Sequence, residues 1–194
     1  KELIANAMVG RAVLFTTEKP VVEIGKVVVE AKNITVNNRF GVKKVDGISF
    51  EIREGEVLGV AGVEGSGQTE LIEALTGLDK IESGEFILNG KNLTNLKGLN
   101  QSVEKIAHIP EDRHKRAAIA EFDISENFAL GQHGNRYKKG LGLLNFDKIL
   151  SEAKKYIEKY DVRPIDPKLL FGKLSGGNQQ KIIVARELEK DNVF

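Results

Sequence analysis

The stretch Gly62-Val63-Glu64-Gly65-Ser66-Gly67-Gln68-Thr69-Glu70 decides the fold of this chain. The apolar run 57–61 before it predicts a short buried strand, and residues 69–76 predict a helix. A glycine-rich turn between a strand and a helix can cradle phosphate groups. Its backbone N–H groups point inward, and the helix N-terminus adds partial positive charge. The sequence therefore predicts a phosphate-binding loop.

Gln68 stands where the pattern G-x-x-x-x-G-K-[ST] places a lysine. Its amide can donate hydrogen bonds but carries no charge. Charge-assisted hydrogen bonds contribute about 1.5–3 kcal/mol and neutral ones about 1 kcal/mol. We therefore expect weakened but retained phosphate binding, with turnover reduced by roughly 10²–10³. Glu70, in the first helical turn, suits the helix dipole and is interpreted as a helix-start acid.

Composition argues against several classes of protein. The 194 residues suffice for one domain, or one domain with a small subdomain. Lys and Arg number 29 against 28 Asp and Glu, so we expect no nucleic-acid partner. The absence of cysteine excludes disulfides and thiolate metal sites. No apolar run reaches the roughly 18 residues that span a bilayer, so any membrane role would act through a partner.

Local patterns predict the remaining elements. Strands are expected at 26–36 with a turn near Asn33, at 44–52, at 85–88 after a turn at 81–84, and at 106–109. Hairpin turns are expected at 53–56, leading into the strand 57–61, and at Asn89-Gly90. One helix is expected to end near residue 10 and another to begin with a cap at Ser125. Two further helices are expected at 147–160 and 182–188. Residues 11–25 are interpreted as a linker and residues 131–142 as a mobile loop.

The basic clusters and the histidines carry no recognisable site. We interpret clusters 114–116 and 136–139 as solvated surface. His108, His114 and His133 show no metal-ligand spacing and are interpreted as structural or surface residues.

A second motif, Leu174-Ser175-Gly176-Gly177, stands at the start of the last predicted helix. A phosphate loop followed at this distance by Leu-Ser-Gly-Gly resembles the ATP-binding cassette family, from about Lys26 to the C-terminus. The resemblance implies an α/β fold: a P-loop NTPase with a RecA-like core, an antiparallel β-subdomain and a helical subdomain. It also implies ATP and Mg²⁺ as cofactors.

Three segments narrow the resemblance: the loop ending 67–70, the segment Ile109-Pro110-Glu111-Asp112-Arg113, and the run 174–181. They resemble the second cassette of tandem ATPases that drive uptake of simple sugars or nucleosides, and residues 8–11 resemble the junction that leaves the first cassette. The implied division is 1–25 as a tail from the preceding cassette, 26–111 as nucleotide-binding core with the β-subdomain, 112–173 as helical subdomain, and 174–194 as signature motif with an incomplete core.

The resemblance also implies roles for individual residues. Phe40 would stack on adenine, the alternative being a core phenylalanine. Thr69 would reach Mg²⁺, and Glu111 stands where the family usually has a glutamine that senses the metal and the attacking water, the alternative being an exposed loop acid. The signature motif would contact nucleotide held by the opposite cassette. The expected cofactor-binding residues are Phe40, Gly62, Glu64, Gly65, Ser66, Gly67, Gln68, Thr69, Glu70 and Glu111, and the expected signature residues are Leu174, Ser175, Gly176, Gly177, Asn178 and Gln179.

The chain ends at 191–194, where the family begins the strand that carries the Walker B carboxylate. We therefore expect a truncated cassette with no catalytic residue of its own, negligible hydrolysis alone and uncovered apolar surface. The implied partners are a second cassette on the same polypeptide, transmembrane permease subunits and, indirectly, an extracellular solute-binding protein, at the cytoplasmic face of the membrane. The alternative is a regulatory or structural nucleotide-binding cassette without transport. The chromosome- and repair-associated form of that alternative would need a long coiled coil where this chain has residues 112–173.

Overall fold

The computed structural model describes residues 21–94, 106–132, 136–140 and 142–190. The helix end and most of the linker predicted before residue 21 lie outside this part of the chain. The described elements, in chain order, are β1 (Val27–Asn37), β2 (Lys43–Arg53), α1 (Gln68–Leu75), β3 (Ser83–Leu88), β4 (Lys91–Asn92), α2 (Arg113–Arg116), α3 (Ile124–Ala129), β5 (Lys138–Lys139), β6 (Leu143–Leu144), α4 (Phe146–Lys159), a 3₁₀ turn (Phe171–Lys173) and α5 (Gly176–Leu188).

An antiparallel sheet with strand order β2-β1-β3-β4 forms the first half of the described chain. Strand β1 lies in its middle, and α1 packs its buried residues Leu71 and Ala74 on the same apolar core. The predicted half-buried strand is β2, in which Ile52 is buried and Ile48 remains exposed. The hairpin predicted at 53–56 is a turn only: the Glu56 N–H donates to the Arg53 carbonyl, but the residues that follow form no strand.

Two predicted turns lie instead inside strands. Asn33 has a φ of 50°, but the register of β1 only shifts there, so the residue forms a bulge and the strand continues. Ser83 and Gly84 belong to β3, and a Cβ at Gly84 would overlap the Asn33 carbonyl of the bulge. The hairpin at Asn89-Gly90 is confirmed, with φ values of 48° and 76° that suit a two-residue turn.

Helices α3, α4 and α5 enclose a second apolar core. Residues Ile149, Ala153, Tyr156 and Ile157 form the buried face of α4, as the helical spacing predicted. The N-cap of helix α3 lies two residues before the predicted one: it is Asp123, whose carboxylate and the Glu126 carboxylate each accept a hydrogen bond from the other residue's backbone N–H. This reciprocal pair satisfies two N–H groups at once, which a cap at Ser125 could not do.

Residues 57–61 and 106–109, both predicted as strands, do not form strands. A strand needs a neighbour to pair with its backbone N–H and C=O groups, and none pairs with these segments in the described ranges. The predicted burial of 57–61 is also wrong: Val57 is 95% exposed and Val60 55% exposed.

The segment predicted as a mobile loop, 131–142, contains β5, which pairs with β6 just after it, and a well-packed anchor. Arg136 donates to the Glu152 carboxylate at 2.8 Å and to the Glu189 carbonyl at 2.6 Å. Tyr137 is buried and donates its hydroxyl to Glu152 at 2.9 Å, and this burial raises the pKa of the tyrosine well above its usual range. The cluster 136–139 is therefore partly internal, contrary to its interpretation as solvated surface.

Candidate nucleotide site

Glycines give the loop at 62–70 its shape. Gly67 caps α1 with a φ of 98°, and a Cβ there would overlap the backbone carbonyl of Lys44 on β2. Gly65 also has positive φ, 81°, but lies in open space. A residue with a side chain at position 67 would push the loop away from the sheet. The sequence-predicted helix after the loop is confirmed as α1.

The side chain of Gln68 lies inside its own loop, because a Cβ at Gly62 would overlap its Nε2 atom. Gln68 and Thr69 line a cavity of about 500 Å³, whose opposite side includes Ile109, Glu111 and Asp112. The structure thus brings together three of the predicted cofactor residues: Gln68, Thr69 and Glu111. Glu64, Gly65 and Ser66 are exposed on the loop itself, and Glu70 is half-buried on α1.

Charges of both signs surround this cavity. The Asp112 carboxylate accepts hydrogen bonds from the Lys115 and His114 N–H groups at 3.2 and 3.1 Å, which lowers its pKa and keeps it ionised. Arg116 pairs with Glu73 of α1 at 2.6 Å. This ion pair ties α2 to the helix that follows the loop.

Lys44, for which the sequence predicted no role, contacts the loop. Its Nζ atom lies 3.4 Å from the Gly65 carbonyl oxygen. No sequence signal separates it from Lys43, which pairs with Asp46 at 3.0 Å. Only the position of the loop against β2 distinguishes the two lysines.

Phe40 is 73% exposed, so the alternative interpretation as a core phenylalanine is wrong. It lies in the turn before β2, where its backbone N–H donates to Asn38 Oδ1 at 3.0 Å. The Arg39 guanidinium stands 4.8 Å from the ring centroid. An exposed aromatic ring in a fixed turn is suited to stacking.

The signature residues divide into an exposed and a buried set. Ser175, the N-cap of α5, and Gly176 and Gly177 are exposed, and Asn178 donates to Ser175 Oγ at 3.0 Å. The side-chain oxygen of Asn178, Oδ1, also accepts from the Arg163 backbone N–H at 2.9 Å. The buried members are Leu174 and Gln179, which therefore hold the turn in place and do not face outward.

Arg113 connects the cavity to the signature turn. Its Nε donates to Gln179 Oε1 at 3.1 Å, and a Cβ at Gly176 would come within 2.9 Å of its guanidinium. Gln179 in turn donates to the Phe171 carbonyl at 3.2 Å. Arg113 follows Asp112 directly, so one short segment borders the cavity and also fixes the N-terminus of α5. Sequence motifs gave Arg113 no such role.

The histidine interpretation agrees with the structure for the described histidines. His108 is half-buried, and its backbone N–H donates to the Glu187 carboxylate at 3.2 Å. Burial lowers the pKa of its imidazole ring. His114 is exposed on α2, and His133 lies outside the described residues. Within the described ranges, no three His, Asp or Glu residues cluster as metal ligands, and no helix is long and apolar enough to cross a membrane.

Residues 45–193 match the family model described as ABC transporter. The chain belongs to the ABC transporter family. Among its relatives, the nucleoside import ATP-binding protein NupA of Lactococcus lactis is 40% identical, over 97% of this chain and 37% of the relative. The guanosine import ATP-binding protein NupO of Bacillus subtilis is 42% identical over the same shares. This cassette chain therefore spans about 37% of the length of these curated relatives.

Solved structures confirm the fold of the ABC chain. The ATP-binding cassette MJ1267 superposes with a TM-score of 0.67 at 23% identity, covering 84% of this chain and 64% of that one. The cassette MJ0796, bound to ADP and Pi, gives a TM-score of 0.67 at 22% identity, over 82% and 68%. The predicted fold class, a P-loop cassette with an antiparallel sheet and helices, is thus confirmed.

ABC cassettes bind ATP with Mg²⁺. The start of α1 fits an anion, since Gln68 and Thr69 of its first turn line the cavity and a helix N-terminus carries partial positive charge. Thr69 is exposed and borders that cavity, so its hydroxyl is suited to a phosphate-bound Mg²⁺.

Proposed function

We propose that this chain is the ATP-binding cassette of an importer for nucleosides or simple sugars. The observation that carries nucleotide binding is the common cavity of Gln68, Thr69 and Glu111 at the start of α1. Transport is supported by the relatives, which are named as import proteins. The two nucleoside relatives are 40% and 42% identical, against 35% for a galactose import protein of Photobacterium profundum, so a nucleoside is the favoured solute class.

We further propose that the chain is the second of two cassettes on one polypeptide. Its domain division would be a tail at 1–25, a core with β-subdomain at 26–111, a helical subdomain at 112–173 and the signature segment at 174–194. The separate apolar cores around β1 and around α3, α4 and α5 support this division. The 37% share of the relatives' length leaves room for another cassette.

The phosphate loop and the signature motif of this cassette would take part in two different ATP sites. The loop with Gln68 binds nucleotide weakly, because it lacks the lysine charge on the β- and γ-phosphates. The exposed backbone at Ser175–Gly177 completes the ATP site of the partner cassette, with α5 directing its N-terminus outward. Hydrolysis would then take place mainly at the partner's loop.

The remaining partners would be transmembrane permease subunits, with an extracellular solute-binding protein beyond them, and the cassette would lie on the cytoplasmic face of the membrane. The alternative is a regulatory or structural cassette that binds nucleotide without transport. Co-purification from detergent-solubilised membranes separates the two. Recovery of a permease supports transport, and its absence when the cassette is intact and nucleotide-bound supports the alternative.

Titration with a fluorescent ATP analogue, with and without Mg²⁺, tests the nucleotide site directly. We expect measurable binding that Mg²⁺ strengthens, and about tenfold tighter binding in Gln68→Lys, because a charged donor replaces a neutral one. Gln180→Lys, on α5, is the control that adds the same charge away from the loop. No binding at millimolar nucleotide by the unchanged protein or by Gln68→Lys would contradict the proposed site.

Turnover by the complete tandem protein tests the division of work. Ser175→Arg should abolish ATP hydrolysis, because the side chain blocks the exposed signature turn. Gln68→Ala should leave most hydrolysis intact, because that loop is the weaker of the two sites. Turnover that survives Ser175→Arg and collapses with Gln68→Ala would reverse the assignment.

A further inference from the structure

Lys44 places an ammonium group beside the loop that lacks its usual lysine. Its Nζ atom lies 3.4 Å from the carbonyl oxygen of Gly65. In the described part of the chain, no carboxylate lies within ion-pair distance of it. The neighbouring Lys43 differs, since its ammonium pairs with Asp46 at 3.0 Å.

The backbone holds Lys44 at this position. A Cβ at Gly67 would overlap the Lys44 carbonyl and would come within 3.4 Å of the Val45 side chain. Strand β2 and the loop are therefore in contact through the backbone of Lys44 as well as through its side chain. Any group bound in the loop lies near this lysine without movement of the sheet.

The contact with Gly65 is easily exchanged for a stronger one. A carbonyl oxygen at 3.4 Å is a distant neutral acceptor, beyond the usual range for N–H···O hydrogen bonds. A phosphate oxygen is a charged acceptor, and bonds between two charged groups are shorter and roughly twice as strong. Lysine carries three donors on a flexible stem, so Nζ can turn from the carbonyl to a phosphate.

We propose that Lys44 supplies to the phosphates of the bound nucleotide the positive charge that Gln68 cannot supply. The inference rests on the proposed function, since it requires nucleotide in the loop. It gives the altered loop a cation from the sheet. It also predicts that binding at this loop depends on the number of phosphates in the nucleotide.

The test compares Lys44→Gln with Lys43→Gln by equilibrium titration of the purified protein with a fluorescent ATP analogue. We expect Lys44→Gln to weaken binding about tenfold, because a charged contact with a phosphate becomes a neutral one, and Lys43→Gln to change it less than about twofold. Competition with ADP and AMP should show the loss shrinking as phosphates are removed. In a Gln68→Lys background, the Lys44→Gln loss should be smaller, because the loop then has a cation of its own.

A third variant separates the charge of Lys44 from the shape of its side chain. Lys44→Arg retains the charge and should bind within about threefold of the unchanged protein. Equal binding by Lys44→Gln and Lys43→Gln would overturn the role of Lys44 while leaving nucleotide binding intact. An equal loss in Lys44→Arg and Lys44→Gln, or an AMP loss as large as the ATP loss, would also overturn it. No binding by the unchanged protein would overturn both this inference and the proposed nucleotide site.

Discussion

The phosphate loop and the signature turn are held in place in different ways. The loop at 62–70 is mostly exposed and is shaped by the backbone, through the contact of Gly67 with Lys44. The turn at 174–179 is held by side chains: Gln179 is 5% exposed and bonds to both Arg113 and Phe171. The shape of the loop therefore depends on glycines, which have no side chain, and the shape of the turn depends on buried side chains.

This difference determines what substitutions should do. In the loop, adding atoms is damaging at Gly67 and tolerable at Gly65, because an added Cβ would overlap the sheet only at Gly67. In the turn, removing atoms is damaging, because it leaves buried polar groups without partners. Four substitutions test these expectations, from the largest effect to the smallest.

Gly67→Ala should have the largest effect. We expect a loss of about 2–4 kcal/mol in the free energy of unfolding and no detectable binding of an ATP analogue, because positive φ and the Lys44 carbonyl both oppose a Cβ. Urea denaturation and titration measure the two quantities. Gly65→Ala is the matched control, with strain of about 1–2 kcal/mol and no overlap. Equal losses in both variants would show that contact with β2 does not shape the loop.

Gln179→Ala should lower the free energy of unfolding by about 1–3 kcal/mol, because the Arg113 guanidinium and the Phe171 carbonyl lose a buried partner. Gln180→Ala, one residue along α5, should change it by less than about 0.5 kcal/mol. Thermal and urea unfolding provide the measurement. A double-mutant cycle with Arg113→Ala should give a coupling of at least about 0.5 kcal/mol, and additive losses would remove Arg113 as the anchor of the turn.

The pH dependence of stability tests the role of Glu187, which lies near the C-terminus of helix α5. Burial alone would raise the pKa of this carboxyl, but Lys190, Arg186 and the His108 N–H lower it below its usual value. A lowered pKa in the folded state means stability that is present above the unfolded-state pKa and lost as pH falls through the folded-state pKa.

We expect Glu187→Gln to cost about 1.5 kcal/mol at neutral pH and to reduce the loss of stability in acid. Unfolding free energies measured from neutral pH down to acid give both numbers. Glu158→Gln on the exposed face of α4 is the control. A pH profile identical in Glu187→Gln and the unchanged protein would mean that another carboxylate carries the acid sensitivity.

Phe40→Ala should have the smallest effect on stability, within about 0.5 kcal/mol, because the ring is 73% exposed. Its effect should appear instead in nucleotide affinity, with the Kd rising about fivefold as a stacking partner of the base is lost. Phe146→Ala removes an equally solvated ring, 63% exposed, on α4. Matching affinities for the two variants would leave Phe40 without a part in the site.

Local chemistry allowed much of the fold to be predicted from the sequence. The Asn89-Gly90 turn, the stripe of α4 and the helix after the loop depend on neighbours in the chain, and all three are confirmed. The strand predicted at 57–61 failed because a strand also needs a partner, which no run of residues specifies by itself. The cap of α3 moved to Asp123 because a reciprocal pair with Glu126 outcompetes Ser125.

The candidate site shows the same limit. The loop motif identified Gln68 and Thr69, the family resemblance pointed to Glu111, and the structure places all three on one cavity. Lys44, on β2, and Arg113, at the start of α2, contact residues that are distant in the chain, so no motif spacing could find their contacts. The sequence also did not show which signature residues are exposed. Leu174 and Gln179 belong to the same motif as the exposed Ser175, but both are buried.

The exposed run 57–61 has a consequence for the solution behaviour of the chain. Apolar side chains such as Val57 and Val60 stand beside backbone groups that no strand pairs in the described ranges, and such edges attract other strands. A formal net charge of +1 provides little electrostatic repulsion between molecules. The run 57–61 is therefore one place at which molecules of this chain are expected to associate.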